Sequence, residues 1–216
     1  KIEQAPNNKE MHIMGMTMDD VKKALWIHKQ MSKEGDKQSL KYYMIGLFHC
    51  ELVLRNELAS VIWTKEYKEL EDGWEYKNFI YGTKNKKYLV IRNNKVRHFD
   101  NPNFKERVIP LENKGGDRGT KRELNWVLKK WINTHEYIKD GDYLLGKELS
   151  SSSYTQLLGR VFAHKKWNLS SSLIRKIYAI DIRERYKGKL KEEMEACQKL
   201  DHTIGVHNKN YVLYFD

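Results

Sequence analysis

Apolar residues recur at helical spacing in the first quarter of the chain. Residues 1–16 are polar and lack this pattern, whereas Thr17 offers an N-cap with Asp20 three residues later. The spacing predicts a first helix to about residue 33 and a second over residues 39–54. Their expected buried faces comprise Val21, Ala24, Leu25 and His28 in the first, and Leu40, Tyr43, Met44, Leu47 and Leu54 in the second.

The pattern changes to β-forming residues between positions 75 and 111. Three short runs of such residues cover 79–81, 88–91 and 108–109, and clusters of Asn, Gly and Lys separate them. The last strand is expected to stop at Pro110, because proline lacks the N–H that a sheet ladder needs. This part of the sequence predicts a small antiparallel sheet after the second helix.

Helical spacing returns after a loop over residues 114–119. Thr120 with Glu123, and Ser153 with Gln156, are spaced as helix caps, and further helices are expected from the serine run 170–172 and over 190–200. Their expected apolar positions are Leu124, Val127, Leu128 and Trp131, then Leu157, Leu158, Val161 and Phe162, then Ile174, Ile177, Tyr178 and Ile182. The order helices, sheet, helices predicts an α+β domain that is mostly helical.

Composition narrows the classes of protein that fit. The 216 residues are 40% hydrophobic, which is enough for one core and argues against a disordered chain. Forty basic residues against 29 acidic ones give a net charge of +11, which favours a polyanionic partner. Two distant cysteines form no disulfide framework, and no apolar run suits a membrane span or signal peptide. We expect a linker or tail over 1–16 and one domain over 17–216. Because the sequence begins at Lys1, we also expect an excised piece from which a preceding domain could be missing.

The most informative pattern lies in the last third of the chain. Arg175 follows an apolar pair at the start of a predicted helix, His202 stands in the sequence Leu-Asp-His-Thr, and Tyr211 comes nine residues after His202. This order resembles the tyrosine recombinase (integrase) signature, in which an arginine-bearing helix precedes a histidine turn and then a tyrosine at that spacing. The chain is similar to the catalytic domain of that family over almost all of residues 17–216.

The resemblance extends to the end of the second predicted helix. Arg55 follows apolar residues there and is followed by Glu57 and Leu58, as in the first arginine box of the family. The family carries a catalytic lysine on a hairpin in the β-rich segment that follows, and Lys95 stands at the predicted turn. The competing lysines are Lys105 first, and then Lys84, Lys86 and Lys87.

Two positions depart from the family pattern. The family usually has a histidine three residues before the second arginine, where this chain has Ser172. It also commonly has an acidic residue three positions after the first arginine, whereas Glu57 is two after Arg55. With serine at position 172, the identity of the proton-transfer residue in this part of the site stays open. The position of Glu57 fits a local shift of the motif by one residue.

The resemblance implies cleavage and rejoining of double-stranded DNA through a 3′-phosphotyrosyl intermediate. The expected catalytic residues are Arg55, Lys95, Ser172, Arg175, His202 and Tyr211. Two guanidinium groups suit the phosphate oxygens, and a phosphotyrosine conserves the bond energy, so we expect no metal, ATP or other cofactor. The family also implies a tetramer of protomers on DNA, inside the cell wherever the target DNA lies, with a virus or mobile element as a natural source.

Other readings stay open at this stage. Within the same chemistry, a type IB topoisomerase-like or telomere-resolving enzyme fits the motifs. A DNA-binding module that has lost catalysis fits the serine at position 172. A zinc site would need Cys197, His202 and His207, but structural zinc usually has four ligands. Cys197 is also expected on an apolar helix face with Leu190 and Met194, so a buried free thiol is the favoured interpretation.

Overall fold

The computed structural model describes residues 15–71, 73–83, 86–93, 105–111, 120–134, 138–198 and Leu200, and it has the expected α+β fold, dominated by helix. The helices are α1 (Met18–Ala24), α2 (Trp26–Lys33), α3 (Lys37–Leu52), α4 (Thr120–Thr134), α5 (Ser151–Val161), α6 (Ser171–Arg185) and α7 (Leu190–Gln198). The strands are β1 (Ile62–Thr64), β2 (Phe79–Gly82), β3 (Lys87–Ile91) and β4 (Arg107–Pro110). Short 3-10 helices cover Glu57–Ser60 and Ala163–Lys165.

The first predicted helix is split in two. Thr17 and Asp20 form the expected capping box, but the N–H of Leu25 bonds back to Lys22 and tightens the turn between α1 and α2. The side chain of Leu25 then packs onto Gly46 of α3, where any larger residue would collide with it. The break therefore follows from tertiary packing, which a periodicity pattern cannot reveal.

Helix α3 forms the centre of the core. Its predicted apolar face is buried, and so are Ile45, Phe48 and most of the remaining side chains, because α2, α4 and α5 pack around it. It ends at Val53, whose left-handed backbone (φ 52°, ψ 42°) is unfavourable for a β-branched residue. This turn directs the chain into the segment that contains Arg55.

The sheet is mixed rather than wholly antiparallel. Its strand order is β1-β2-β3-β4, and β2, β3 and β4 pair antiparallel as predicted. However, β1 pairs parallel to β2, with Ile62 opposite Phe79. Residues 65–78 connect the two strands, which is long enough to return the chain to the starting edge, as a parallel pair requires. Pro110 ends the edge strand β4, as expected.

The C-terminal helices follow the predicted pattern with local corrections. Ser150, not Ser153, caps α5, whereas Ser170 caps α6 as expected. Thr120 is already helical, and the Glu123 carboxylate binds the Tyr43 hydroxyl and the Lys29 ammonium group. The predicted apolar positions of α4 and α6 are buried, and so are all those of α5 except the partly exposed Leu157.

Cysteine burial agrees with the sequence interpretation. Cys50 and Cys197 are both buried free thiols. Leu190 and Met194, expected on the same apolar face as Cys197, are instead exposed. None of the described helices has the length and apolarity needed to cross a bilayer.

Candidate active site

A polar cleft of about 670 Å³ lies where α5, α6, the chain after α3 and one end of the sheet meet. We call the part formed by α5, α6 and the chain after α3 the helical wall, and the part formed by Asn78 and Asn93 the sheet wall. The helical wall is lined by Arg55, Asn56, Glu57, Ser60, Ser151, Thr155, Ser170, Ser171, Ser172, Arg175 and Lys176. Residues from four distant parts of the sequence thus share one cavity.

Arg55 reaches the cleft just after the left-handed turn at Val53. It is partly buried, and among the described residues its buried Nε atom has no hydrogen-bond partner. A guanidinium N–H carries positive charge and needs an acceptor when it is removed from water. An anion that enters the cleft could supply that acceptor.

Asn56 ties the Arg55 segment to both helices of the wall. Its Nδ2 donates to the Ser151 hydroxyl at 2.7 Å, and its Oδ1 accepts from the Ser171 hydroxyl at 2.8 Å. Ser151 and Ser171 are the first residues of α5 and α6. One amide therefore fixes the residue beside Arg55 against two helix N-termini.

The two helix N-termini give the helical wall an anion-attracting character. The first turn of a helix has N–H groups without intrahelical acceptors and a partial positive charge. Ser172 lies in the first turn of α6, is exposed, and has its hydroxyl 2.9 Å from that of Ser170. Three cationic side chains and the carboxylate of Glu57 also line the cleft, so its described lining carries a net positive charge.

Arg175 joins two segments of the candidate site through its guanidinium group. It is only 5% exposed, and it donates to the carbonyl oxygens of Val53 at 2.8 Å and Leu200 at 2.5 Å. Val53 precedes Arg55 by two residues, and Leu200 precedes His202 by two. Arg175 therefore lines the cleft and also organises the chain on both sides of it.

A buried histidine supports the same turn from behind. His49 Nδ1 lies 3.1 Å from the Leu54 carbonyl oxygen, and Nε2 lies 2.8 Å from the Tyr154 hydroxyl. A carbonyl can only accept, so Nδ1 carries the proton and Nε2 accepts from the hydroxyl. Burial, with a smaller contribution from the charge of Arg175, lowers the pKa of His49 to about 4. The neutral ring thus holds the residue that precedes Arg55.

The structure brings together three of the six predicted site residues. Arg55, Ser172 and Arg175 line the one cleft, although Arg175 follows Arg55 by 120 positions in the sequence. The other three, Lys95, His202 and Tyr211, lie outside the described residues.

The described lysines differ in their distance from the cleft. Lys86 and Lys87 are at the end of β3 opposite to Asn93, and the Lys87 ammonium group donates to Asn125 at 3.0 Å. Lys105 is exposed and does not line the cleft, whereas Lys176 of α6 does. Sequence reasoning missed Lys176, Asn56 and both asparagines of the sheet wall. Asn56 alone carried a signal, because it adjoins Arg55.

Comparison of the chain with protein-family models, with curated proteins and with solved structures found no significant match. Within the described part of the chain, no group of three or more His, Cys, Asp or Glu residues is placed to hold a metal ion. The interpretation of the cleft therefore depends on its own chemistry and on the motif order in the sequence.

Proposed function

We propose that this protein cleaves and rejoins DNA strands as a tyrosine recombinase, with the polar cleft as its phosphate-binding site. The observation that carries the proposal is the convergence of Arg55, Ser172 and Arg175 on one cleft. Ser172 and Arg175 are neighbours on one helix, whereas Arg55 lies 117 and 120 positions before them in a separate motif, so the two arginine motifs of the sequence line one cavity.

The chemistry of the cleft suits a phosphodiester. Arg55 offers a buried N–H that lacks an acceptor within the described residues, and two helix N-termini point their positive ends into the same space. Charge that develops on the non-bridging oxygens is stabilised best by donors held in place before the reaction. The net charge of +11 would bring the DNA backbone to this surface.

The proposed step is an in-line displacement at phosphorus. The Tyr211 oxygen forms a bond to phosphorus and releases its proton to solvent or to a nearby base, while the bond to the 5′-oxygen breaks. Lys95 gives a proton to that oxygen, which leaves as a 5′-hydroxyl. Reversal by another 5′-hydroxyl rejoins the strand without ATP, because the phosphotyrosine conserves the bond energy.

A DNA-binding protein without catalysis is the second candidate. Two observations favour it: Ser172 replaces the family's usual histidine, and the Arg175 guanidinium is already engaged by two backbone carbonyls. Such a protein would bind duplex DNA with the same salt dependence but would form no covalent product.

A nicked suicide duplex separates the two candidates. Cleavage next to the nick releases a short fragment that diffuses away, so a recombinase becomes trapped as a covalent protein–DNA adduct that denaturing gels detect. We expect an adduct in EDTA and without ATP. Absence of any adduct despite tight binding would favour the binding module, and loss of adduct on chelation would indicate a metal-dependent nuclease.

The position of the covalent bond tests the assigned nucleophile. Tyr211→Phe removes only one oxygen and should abolish the adduct while leaving DNA affinity unchanged. Tyr214→Phe is the matched control, because Tyr214 lies three residues away, and it should keep at least part of the activity. Mass spectrometry of the trapped peptide should find the nucleotide on Tyr211, and finding it on Tyr214 would overturn the assignment.

A further inference from the structure

The side chain of Asn78 clamps the backbone where the chain leaves β3. Its Oδ1 accepts from the N–H groups of both Arg92 and Asn93 at 2.9 Å, and its Nδ2 donates to the Asn93 carbonyl at 2.8 Å. Asn78 directly precedes β2 and is 2% exposed. The amide thus acts as an extra peptide group and fixes two residues beyond the end of the strand.

Arg92 and Glu106 form a second set of contacts at the end of β3, where the chain leaves the strand. The guanidinium of Arg92 is fully buried, donates to the Glu106 carboxylate at 2.8 Å, and lies 4.9 Å from the centre of the Phe79 ring. Its other donors bond the hydroxyl of Tyr67 and the carbonyl groups of Lys68, Glu69 and Trp74. Arg92 follows β3 and Glu106 precedes β4, so the pair joins the two chain segments at the base of the β3–β4 connection.

This base lies at the edge of the cleft. Asn78 and Asn93 line it together with Arg55. Lys95 is two residues beyond Asn93, and two residues of chain span at most about 7 Å. Because Asn93 is anchored, it limits the distance between the backbone of Lys95 and the cleft, whereas Lys87 lies at the opposite end of β3.

We propose that Asn78 is a positioning residue for proton transfer by Lys95: it fixes Arg92 and Asn93, from which the chain continues to Lys95, and so favours delivery of the proton to the departing 5′-oxygen. This inference rests on the proposed function. The buried Arg92–Glu106 pair supports the clamp by keeping β3 and β4 together at that base. Asn78 itself touches neither the phosphate nor the nucleophile.

The test compares two nicked duplexes that differ in one atom, the bridging 5′-oxygen or a sulfur in its place. A thiol loses its proton near pH 8.5, far more readily than an alcohol does, so a sulfur leaving group needs no proton donor. A positioned general acid supplies roughly 10²–10⁴ in rate. We expect Asn78→Asp and Asn78→Ala to cleave the oxygen duplex about 10-fold or more slowly than the wild-type protein. Both variants should cleave the sulfur duplex at near wild-type rates.

The choice of variants separates positioning from folding. Asn78→Asp keeps the size and the acceptor oxygen but places an oxygen against the Asn93 carbonyl, so it tests the clamp with least loss of packing. Asn56→Ala is the matched control, because it removes an asparagine clamp on the helical wall. It should slow both duplexes equally, since its effect is on phosphate binding and not on the leaving group.

A double variant gives a second reading. If Asn78 acts through Lys95, then Asn78→Asp combined with Lys95→Ala should cleave the oxygen duplex no more slowly than Lys95→Ala alone. Additive losses, or equal losses of Asn78→Asp on both duplexes, would overturn the inference. A wild-type protein that cleaves neither duplex would instead overturn the proposed function, so the two failures are distinguishable.

Discussion

The helical wall and the sheet wall hold their residues in different ways. On the helical wall, Asn56 bonds groups 95 and 115 positions away in the sequence, and Arg175 bonds Val53, 122 positions away, as well as Leu200, 25 positions away. On the sheet wall, Asn78 bonds groups only 14 or 15 positions away. The helical wall therefore forms only when the whole domain folds, whereas the sheet wall belongs to one local unit of neighbouring strands. Substitutions in the helical wall should therefore lower the free energy of unfolding of the whole domain. Substitutions in the sheet wall should affect mainly the neighbouring strands.

Of the variants that test this comparison of the two walls, Arg55→Ala should have the largest effect on cleavage. Loss of one transition-state donor typically costs about 10²–10³ in rate. Because Arg55 is partly exposed and its Nε has no acceptor within the described residues, we expect little change in the free energy of unfolding. Single-turnover adduct formation measures the rate, and the oxygen and sulfur duplexes should be slowed equally.

Arg160→Ala provides the control for this experiment. Arg160 is exposed near the C-terminal end of α5 and does not line the cleft. It carries the same charge, so a similar loss of cleavage in both variants would mean that Arg55 contributes only general attraction for DNA.

Arg175→Ala should destabilise the domain as well as slow cleavage. It leaves the buried carbonyl groups of Val53 and Leu200 without their charged donor. Hydrogen bonds to charged groups contribute roughly 1.5–3 kcal/mol each, so we expect the loss of two of them to cost about 3–6 kcal/mol in urea unfolding. An unchanged unfolding midpoint would contradict the long-range character of the helical wall.

Much of the fold followed from periodicity, because helices and strands bury residues at fixed spacing. The faces of α3, α4 and α6 were predicted residue by residue and are buried. The break at Leu25 and the parallel pairing of β1 could not be predicted, since the first depends on Gly46 of a neighbouring helix and the second on where a long connection returns.

The candidate site was predictable only in part. Arg55 and Arg175 stand in motifs whose order along the chain is informative, and both line the cleft. Asn78 carries no such signal, because an asparagine before a strand is ordinary in sequence and acquires its role from three hydrogen bonds to the end of β3. The two hydrogen bonds of the Arg175 guanidinium could likewise not be predicted from the sequence, because they depend on the fold that places the Val53 and Leu200 carbonyl groups beside it.

The free energy of unfolding should also depend on pH, because His49 supports the turn that leads to Arg55 on the helical wall. The pKa of His49 is lowered to about 4 in the folded protein from an ordinary value of 6.5. The unfolded chain therefore binds more protons between these values, and stability falls as the pH drops through this window. For this group alone, the loss from pH 7 to pH 5 is about 2 kcal/mol.

His49→Asn isolates that contribution. The asparagine amide can still donate to the Leu54 carbonyl, but it does not titrate. Urea unfolding at pH 5 and pH 7 should show a smaller pH dependence in the variant, while carboxylates and the buried His28 contribute equally to both proteins. Equal pH dependence would mean that the His49 ring is protonated in the folded protein, and the neutral network with Tyr154 would then be wrong.

The smallest effect is expected from Ser172→Ala. Ser172 is exposed, and its hydroxyl lies 2.9 Å from that of Ser170, so its removal leaves no buried group without a partner. A hydrogen bond to a charged phosphate oxygen contributes roughly 1.5–3 kcal/mol, and the exposure of Ser172 places its bond at the lower end, which is about 10-fold in rate. A hydroxyl is also a poor base near neutral pH, so Ser172 cannot take the proton-transfer role that a histidine could fill. Ser171→Ala is the matched control, since that hydroxyl holds Asn56 and its loss should lower stability rather than catalysis alone. If single-turnover cleavage by Ser172→Ala fell as far as that of Arg55→Ala, the serine would be an essential catalytic group and the chemistry assigned to this corner of the helical wall would be wrong.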